Sequence, residues 1–175
     1  MHFATVALFL GLTVSSLAAP VSPPSKRAVL TKQSYAQFQI SDGVAGNALA
    51  EVNEKFPISN MDPTQVSAED QQIISDAREV AEDAETGTGG FNEQIEAAGG
   101  KNSDKGKALQ VGKIKNKVLK LQLEILDLQM KQAKGDDQTE KIAEEQKKLQ
   151  SNIDQDTAAA GQKSASVAST FKESA

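Results

Sequence analysis

The side chains able to do chemistry here are few in kind. The chain has no Cys and no Trp, and its single histidine is His2. Thiol nucleophiles, thiolate metal sites and disulfides are therefore excluded. One histidine cannot build a His zinc site. His2 also lies in a segment that the mature chain is expected to lose, which removes any His-based triad as well. What remains is carboxylates, lysines and glycine turns. Paired carboxylates can hydrolyse glycosides, but one Tyr and no Trp leave no aromatic platform for a sugar. Glu82, Asp83, Glu85 and Glu93 surround the turn Gly87-Thr88-Gly89-Gly90. They lack the alternating aspartates and closing bidentate Glu of a calcium loop. The same acids would repel a phosphate, and the turn has neither a Walker pattern nor a preceding strand. The chain thus reads as a non-enzyme, with no catalytic residue, no cofactor and no metal ligand.

Lys113, Lys115, Lys117 and Lys120 are the candidates for binding nucleic acid or anionic lipid. At about 100° per residue on a helix, Lys115 points well away from the other three, and no aromatic is interleaved for base stacking. The charge distribution favours an internal role. Residues 28–100 hold 3 Lys and Arg against 13 acids, residues 101–134 hold 9 against 3, and residues 135–175 hold 5 against 8. A basic centre between acidic flanks predicts intramolecular pairing. The acidic total opposes non-specific nucleic-acid binding, and none is expected.

One motif carries chemistry done to the chain. The apolar run Phe3–Val14 precedes small residues, with Ser16 and Ala18 suited to the −3 and −1 positions of a signal-peptide cleavage site. Pro20, Pro23 and Pro24 make the next stretch extended, and it ends in the dibasic pair Lys26-Arg27. Behind a signal peptide, that pair reads as a kexin-type processing site. The predicted organisation is a signal peptide over 1–18, a propeptide over 19–27, a helical bundle domain over 28–160 and a flexible tail over 161–175. The protein is expected to be secreted and extracellular. The leader's apolar run is too short for a comfortable span and no later run reaches that length, so no stable membrane insertion of the mature chain is expected.

The elements are organised around the stretch Lys107–Lys134, dense in large aliphatics. Ser103 can cap its helix. Val111, Ile114, Val118, Leu121, Ile125 and Leu128 form one apolar row. Leu109, Gly112, Leu119, Leu123, Leu126 and Met130 form a looser second. A surface helix needs one stripe, so two rows place this helix between partners. An apolar stripe from Tyr35 to Phe56 predicts a helix over 32–55, although Gly43-Val44-Ala45-Gly46 could instead be a loop between two shorter helices. Ser67 is a candidate N-cap for a helix ending near Glu85, with Gly87 closing it. A short helix over 91–98 lies between glycine stops. Asp137 and Glu140 have capping-box logic for a last helix over 138–159, and the short link at Gly135-Asp136 makes it antiparallel to the central one. Val167 and Phe171 are the tail residues that could dock. The fold class is all-α: an antiparallel bundle of four main helices plus one short helix around a central two-faced helix.

The strings SYAQFQISDGVAGNALAEVNEKFP, ETGTGGFNEQIEAAGG, KALQVGKIKNKVLKLQLEILDLQMKQAKGDD and KIAEEQKKL resemble a family of fungal small secreted proteins. The resemblance covers about Lys32 to Leu149, and the leader and Lys-Arg step match that family's layout. It implies a secreted protein, a candidate effector with no established activity or catalytic motif, and it carries over no functional residue. The absence of cysteine departs from disulfide-stapled apoplastic effectors.

The leading expectation is therefore a secreted, non-enzymatic protein that binds a protein partner at a host interface. Two alternatives come from other classes. One is an extracellular carrier of an apolar ligand or lipid, with the two-row helix and Met130 lining a cavity. The other is a structural cell-wall or matrix protein.

Overall fold

The computed structural model describes residues 27–173. The expected signal peptide with its Ala18 site, and the expected propeptide through Lys26, lie outside the described residues. Arg27 is the first residue described and is exposed.

The fold is an all-α bundle on one long helix. In chain order it contains α1 (Tyr35–Phe38), β1 (Gly43–Val44), α2 (Ala48–Lys55), a 3-10 turn (Pro63–Gln65), α3 (Ala68–Thr86), α4 (Phe91–Ala97), α5 (Asp104–Ala133), α6 (Thr139–Ala158) and β2 (Lys163–Ser164). α5 packs against α2, α3, α4, α6 and β2. Ser103 caps it as expected, its hydroxyl accepting from the Gly106 N–H at 3.0 Å. Both predicted rows are covered. Val111, Val118, Leu121, Ile125 and Leu128 of the first are buried and Ile114 is half-buried, while Leu109, Leu119, Leu123, Leu126 and Met130 of the second are buried. A helix apolar on two sides cannot be satisfied by one neighbour, and here α3 and α6 both pack on it.

Ser67 likewise caps α3, accepting from the Asp70 N–H at 3.0 Å. At α6 the capping differs from the expected box. Gln138 is the cap residue and makes no side-chain cap bond, while the Asp137 carboxylate accepts from the Thr139 N–H at 3.1 Å.

Two expectations are corrected. The helix expected over 32–55 is broken into α1 and α2 by the residues around β1. Gly43 and Gly46 have φ of 77° and 117°, the left-handed region where glycine costs least. The apolar spacing survives the break because Tyr35, Phe38, Val52 and Phe56 still reach one core.

The tail expected to be flexible over 161–175 is instead tied in over its described residues, 161–173. β2 pairs antiparallel with β1, Gly43 opposite Ser164 and Val44 opposite Lys163. The Ala165 N–H donates to the Ala108 carbonyl at 3.0 Å and the Lys172 N–H to the Thr88 carbonyl at 3.2 Å. Val167 is fully buried, and Phe171 packs edge-on against Tyr35 with ring centroids 5.3 Å apart. Backbone hydrogen bonds, the apolar Val167 and Phe171, and polar contacts from Ser164, Thr170 and Glu173 dock a segment that is small and polar by composition.

Candidate functional site

The four lysines singled out by the sequence are bound internally. Lys113 and Lys117 pair with Glu85 of α3 at 3.2 and 3.3 Å, and Lys120 with Glu82 at 3.6 Å. Glu124 of α5 is bridged from two sides, by Arg78 of α3 at 3.1 Å and Lys141 of α6 at 3.0 Å. These contacts are the charge pairing that a basic segment between acidic ones predicts.

Lys115 is the exception in kind. Its side chain is 1% exposed. Its ammonium donates to the Asp42 carbonyl at 2.9 Å, the Val44 carbonyl at 3.1 Å and the Glu51 carboxylate at 2.9 Å. Three donors meet three acceptors, which is what makes burial of an ammonium tolerable. The next residue continues the pattern. Buried Asn116 accepts from the Tyr35 hydroxyl at 2.9 Å and donates to the Ala81 carbonyl at 2.7 Å. Burial pushes the Tyr35 phenol well above its ordinary pKa, so it stays a neutral donor. Asp156 of α6 accepts from the Ala48 N–H at the start of α2 at 2.9 Å. The sequence sets Lys115 apart from the other three lysines by helical angle. Its role was hidden because its partners are backbone carbonyls 71 and 73 residues away. Such groups cement the fold and offer nothing to a ligand.

The glycine turn before α4 is also filled from within. The Gly89 N–H donates to the Glu93 carboxylate at 2.7 Å, and the Thr170 hydroxyl donates to the Gly89 carbonyl at 2.8 Å. Gly89 has φ of 75°, and a Cβ there would collide with the Thr170 carbonyl. Among the described residues, no group of three or more His, Asp or Glu is placed to hold a metal ion.

The open feature is a cleft of about 550 Å³ between the segment 29–33, the end of α2 and the outer face of α3. Leu30, Phe38, Phe56 and Ala77 form a buried floor, with half-buried Ile73 and Val80 beside them. Its rim carries Glu54, Asp76, Glu79, Asp83 and Glu173 against Lys32 and Lys55. Several of these are engaged. Lys32 pairs with Asp76 at 3.3 Å, Lys55 donates to the Gln37 carbonyl at 2.8 Å, and Glu173 accepts from the Tyr35 N–H at 2.6 Å. Among the described residues, the Glu54 and Asp83 carboxylates have no hydrogen-bond or ion-pair partner, and both residues are exposed. An apolar floor under an acidic rim suits a ligand that presents a cation beside an apolar group.

The sequence contained one sign of this cleft. α3 has apolar residues on two adjoining lines, Ile74, Ala81 and Ala84 facing the core, Ile73 and Val80 beside them. The second line is only half-buried. The acids Asp76, Glu79 and Asp83, interleaved with it, were the signal that it borders solvent.

One wall of the cleft is fixed by Asp70. This residue is 1% exposed. Its carboxylate accepts from the Leu30 N–H at 2.7 Å, the Val29 N–H at 2.9 Å and the Ser67 hydroxyl at 2.7 Å. Burial pushes its pKa up, but the hydrogen bonds from Leu30, Ser67 and Val29 outweigh burial and hold it below the ordinary aspartate value.

Fold and cleft together define a helical bundle with a recessed surface. The family is shown by the sequence: residues 30–168 match the family described as Domain of unknown function (DUF8454), and the chain belongs to it. The matched unit begins at Asp70-bound Leu30 and runs one residue past buried Val167. No curated protein and no solved structure matches the chain.

Proposed function

We propose that this is a secreted, non-enzymatic protein, of the fungal candidate-effector kind, that acts at a host interface by binding a partner through the cleft over α3. The partner is a protein segment carrying Lys or Arg next to an apolar side chain. The observation that carries this reading is the pair of carboxylates without a partner among the described residues, Glu54 and Asp83, above the floor formed by Leu30, Phe38, Phe56 and Ala77 with Ile73 and Val80 beside it. Other acids of the rim already have internal partners, so these two are the ones left to meet a cation. The residue types support binding over catalysis: residues 28–175 contain neither His nor Cys. No described helix is long and apolar enough to cross a membrane. Most of the two apolar rows of α5 is packed against neighbouring elements, which supports a binding surface elsewhere, at the cleft, over carriage of an apolar ligand along α5.

The test is a fluorescence-anisotropy titration of the chain from Ala28 with two labelled peptides of equal length, one alternating Arg and Leu, the other Glu and Leu. The Arg-Leu peptide is expected to bind, more weakly as salt rises, and Glu54→Gln with Asp83→Asn is expected to weaken it about tenfold or more. Equal binding of both peptides, or an unchanged affinity in the double variant, would overturn the reading.

A further inference from the structure

Asp70 is a buried acid whose main partners are not side chains but the first two backbone N–H groups after Ala28. Arg27 is exposed, Ala28 is half-buried, and Leu30 is in the core. Val29 is exposed but anchored through its N–H, so the first backbone group tied to Asp70 lies one residue past the Arg27–Ala28 bond, which is the bond that the Lys26-Arg27 pair marks for cleavage. We infer that Asp70 is the receptor for an amino terminus created at Ala28 by proteolysis.

The chemistry is ordinary peptide hydrolysis by a dibasic-specific endoprotease. Water adds across the Arg27–Ala28 bond. Its oxygen ends in the Arg27 carboxylate, and the Ala28 nitrogen leaves as an amine that is protonated at neutral pH. A neutral amide thereby becomes a cation. Consecutive backbone nitrogens are within about 4 Å of each other, and the Val29 nitrogen is 2.9 Å from Asp70 Oδ1. The new ammonium is thus held within about 7 Å of a buried carboxylate. An ionised carboxylate has about four acceptor positions, and Asp70 serves three donors. An opposite charge at that range is attractive. Before cleavage Asp70 holds the segment by hydrogen bonds alone. After cleavage it also holds it by charge.

The consequence reaches the cleft, because Val29, Leu30 and Lys32 line it. Maturation fastens that wall onto α3. The inference rests on the secretory reading of the leader, and its test uses no ligand, so failure here is distinct from failure of the binding proposal.

The experiment compares the chain from Ala19 with the chain from Ala28. Treated with a dibasic-specific endoprotease, the longer chain is expected to give one product with the mass of residues 28–175. By calorimetry the chain from Ala28 is expected to melt about 2–4 °C higher than the longer one. Enzymatic acetylation of the Ala28 amine should abolish that gain, and Asp70→Asn should leave the acetylated and free forms with the same melting temperature. Because Asp70→Asn also weakens the hydrogen bonds to Val29 and Leu30, acetylation, which leaves every side chain in place, is the deciding arm. Resistance of the Arg27–Ala28 bond in the folded precursor, or equal melting of acetylated and free Ala28 chains with Asp70 intact, would overturn the inference.

Discussion

Around Lys115, the charge is completed from within: two carbonyls near β1 and Glu51 of α2 surround one ammonium, and Asn116 ties Tyr35 to Ala81. Over α3, the rim acids Glu54 and Asp83 stand exposed above an apolar floor, with no internal partner among the described residues. Both regions combine charge with apolar surroundings. They differ in whether the fold itself completes the charge. A completed charge is a clasp, and its loss is felt as instability. An uncompleted charge contributes little to the fold and remains available to a partner. This contrast, more than the amount of charge, separates the structural part of the molecule from its candidate functional part.

Substitutions should divide along the same line. Lys115→Met is expected to have the largest effect, destabilising by about 3–5 kcal/mol, because it leaves two carbonyls and a half-buried carboxylate without their donor. Urea denaturation measures this; a loss below about 1 kcal/mol would mean that water replaces the ammonium and that the clasp is not one. Gly112→Ala comes next. A Cβ at this point of α5 would collide with the Ala165 carbonyl, so the docked tail must shift, at about 1–3 kcal/mol. Faster hydrogen exchange over 161–172 should accompany the loss.

Asp70→Asn should follow, at about 1–3 kcal/mol near neutral pH, and its effect has a defined pH window. The folded pKa of Asp70 lies below its unfolded value. Its contribution is therefore present above the unfolded pKa, about 3.9, and lost as pH falls through the lower folded value. The difference in stability between the native chain and Asp70→Asn should shrink across that acid range and not on the alkaline side. The smallest stability change belongs to the cleft: Glu54→Gln with Asp83→Asn should stay within about 0.5 kcal/mol while losing affinity for the Arg-Leu peptide. A large destabilisation by this pair would erase the contrast between the two regions.

Much of the bundle was legible in the residues. Ser67 and Ser103 mark the starts of α3 and α5 because a side-chain oxygen must accept an orphan N–H at each. The two rows on α5 required neighbours on two sides. The segmental charge count foretold pairs such as Lys113–Glu85. The β1 region was harder, since Tyr35, Phe38, Val52 and Phe56 keep a helical spacing across a break that the chain makes with Gly43 and Gly46. The docking of the tail had almost no compositional signal, because much of it is made by backbone groups, which every sequence has.

By itself the sequence determined the all-α class, the central helix, the caps of α3 and α5 and the charge asymmetry, since each depends on residue type at short separation. The tertiary structure alone decided that Lys115 is buried, that residues 161–172 belong to the fold, and that Ile73 and Val80 border a cleft. It also decided which acids were left without partners. All of these depend on which distant groups arrive beside a residue. Spacing along one helix cannot encode whether a carboxylate meets a lysine from another element or meets water.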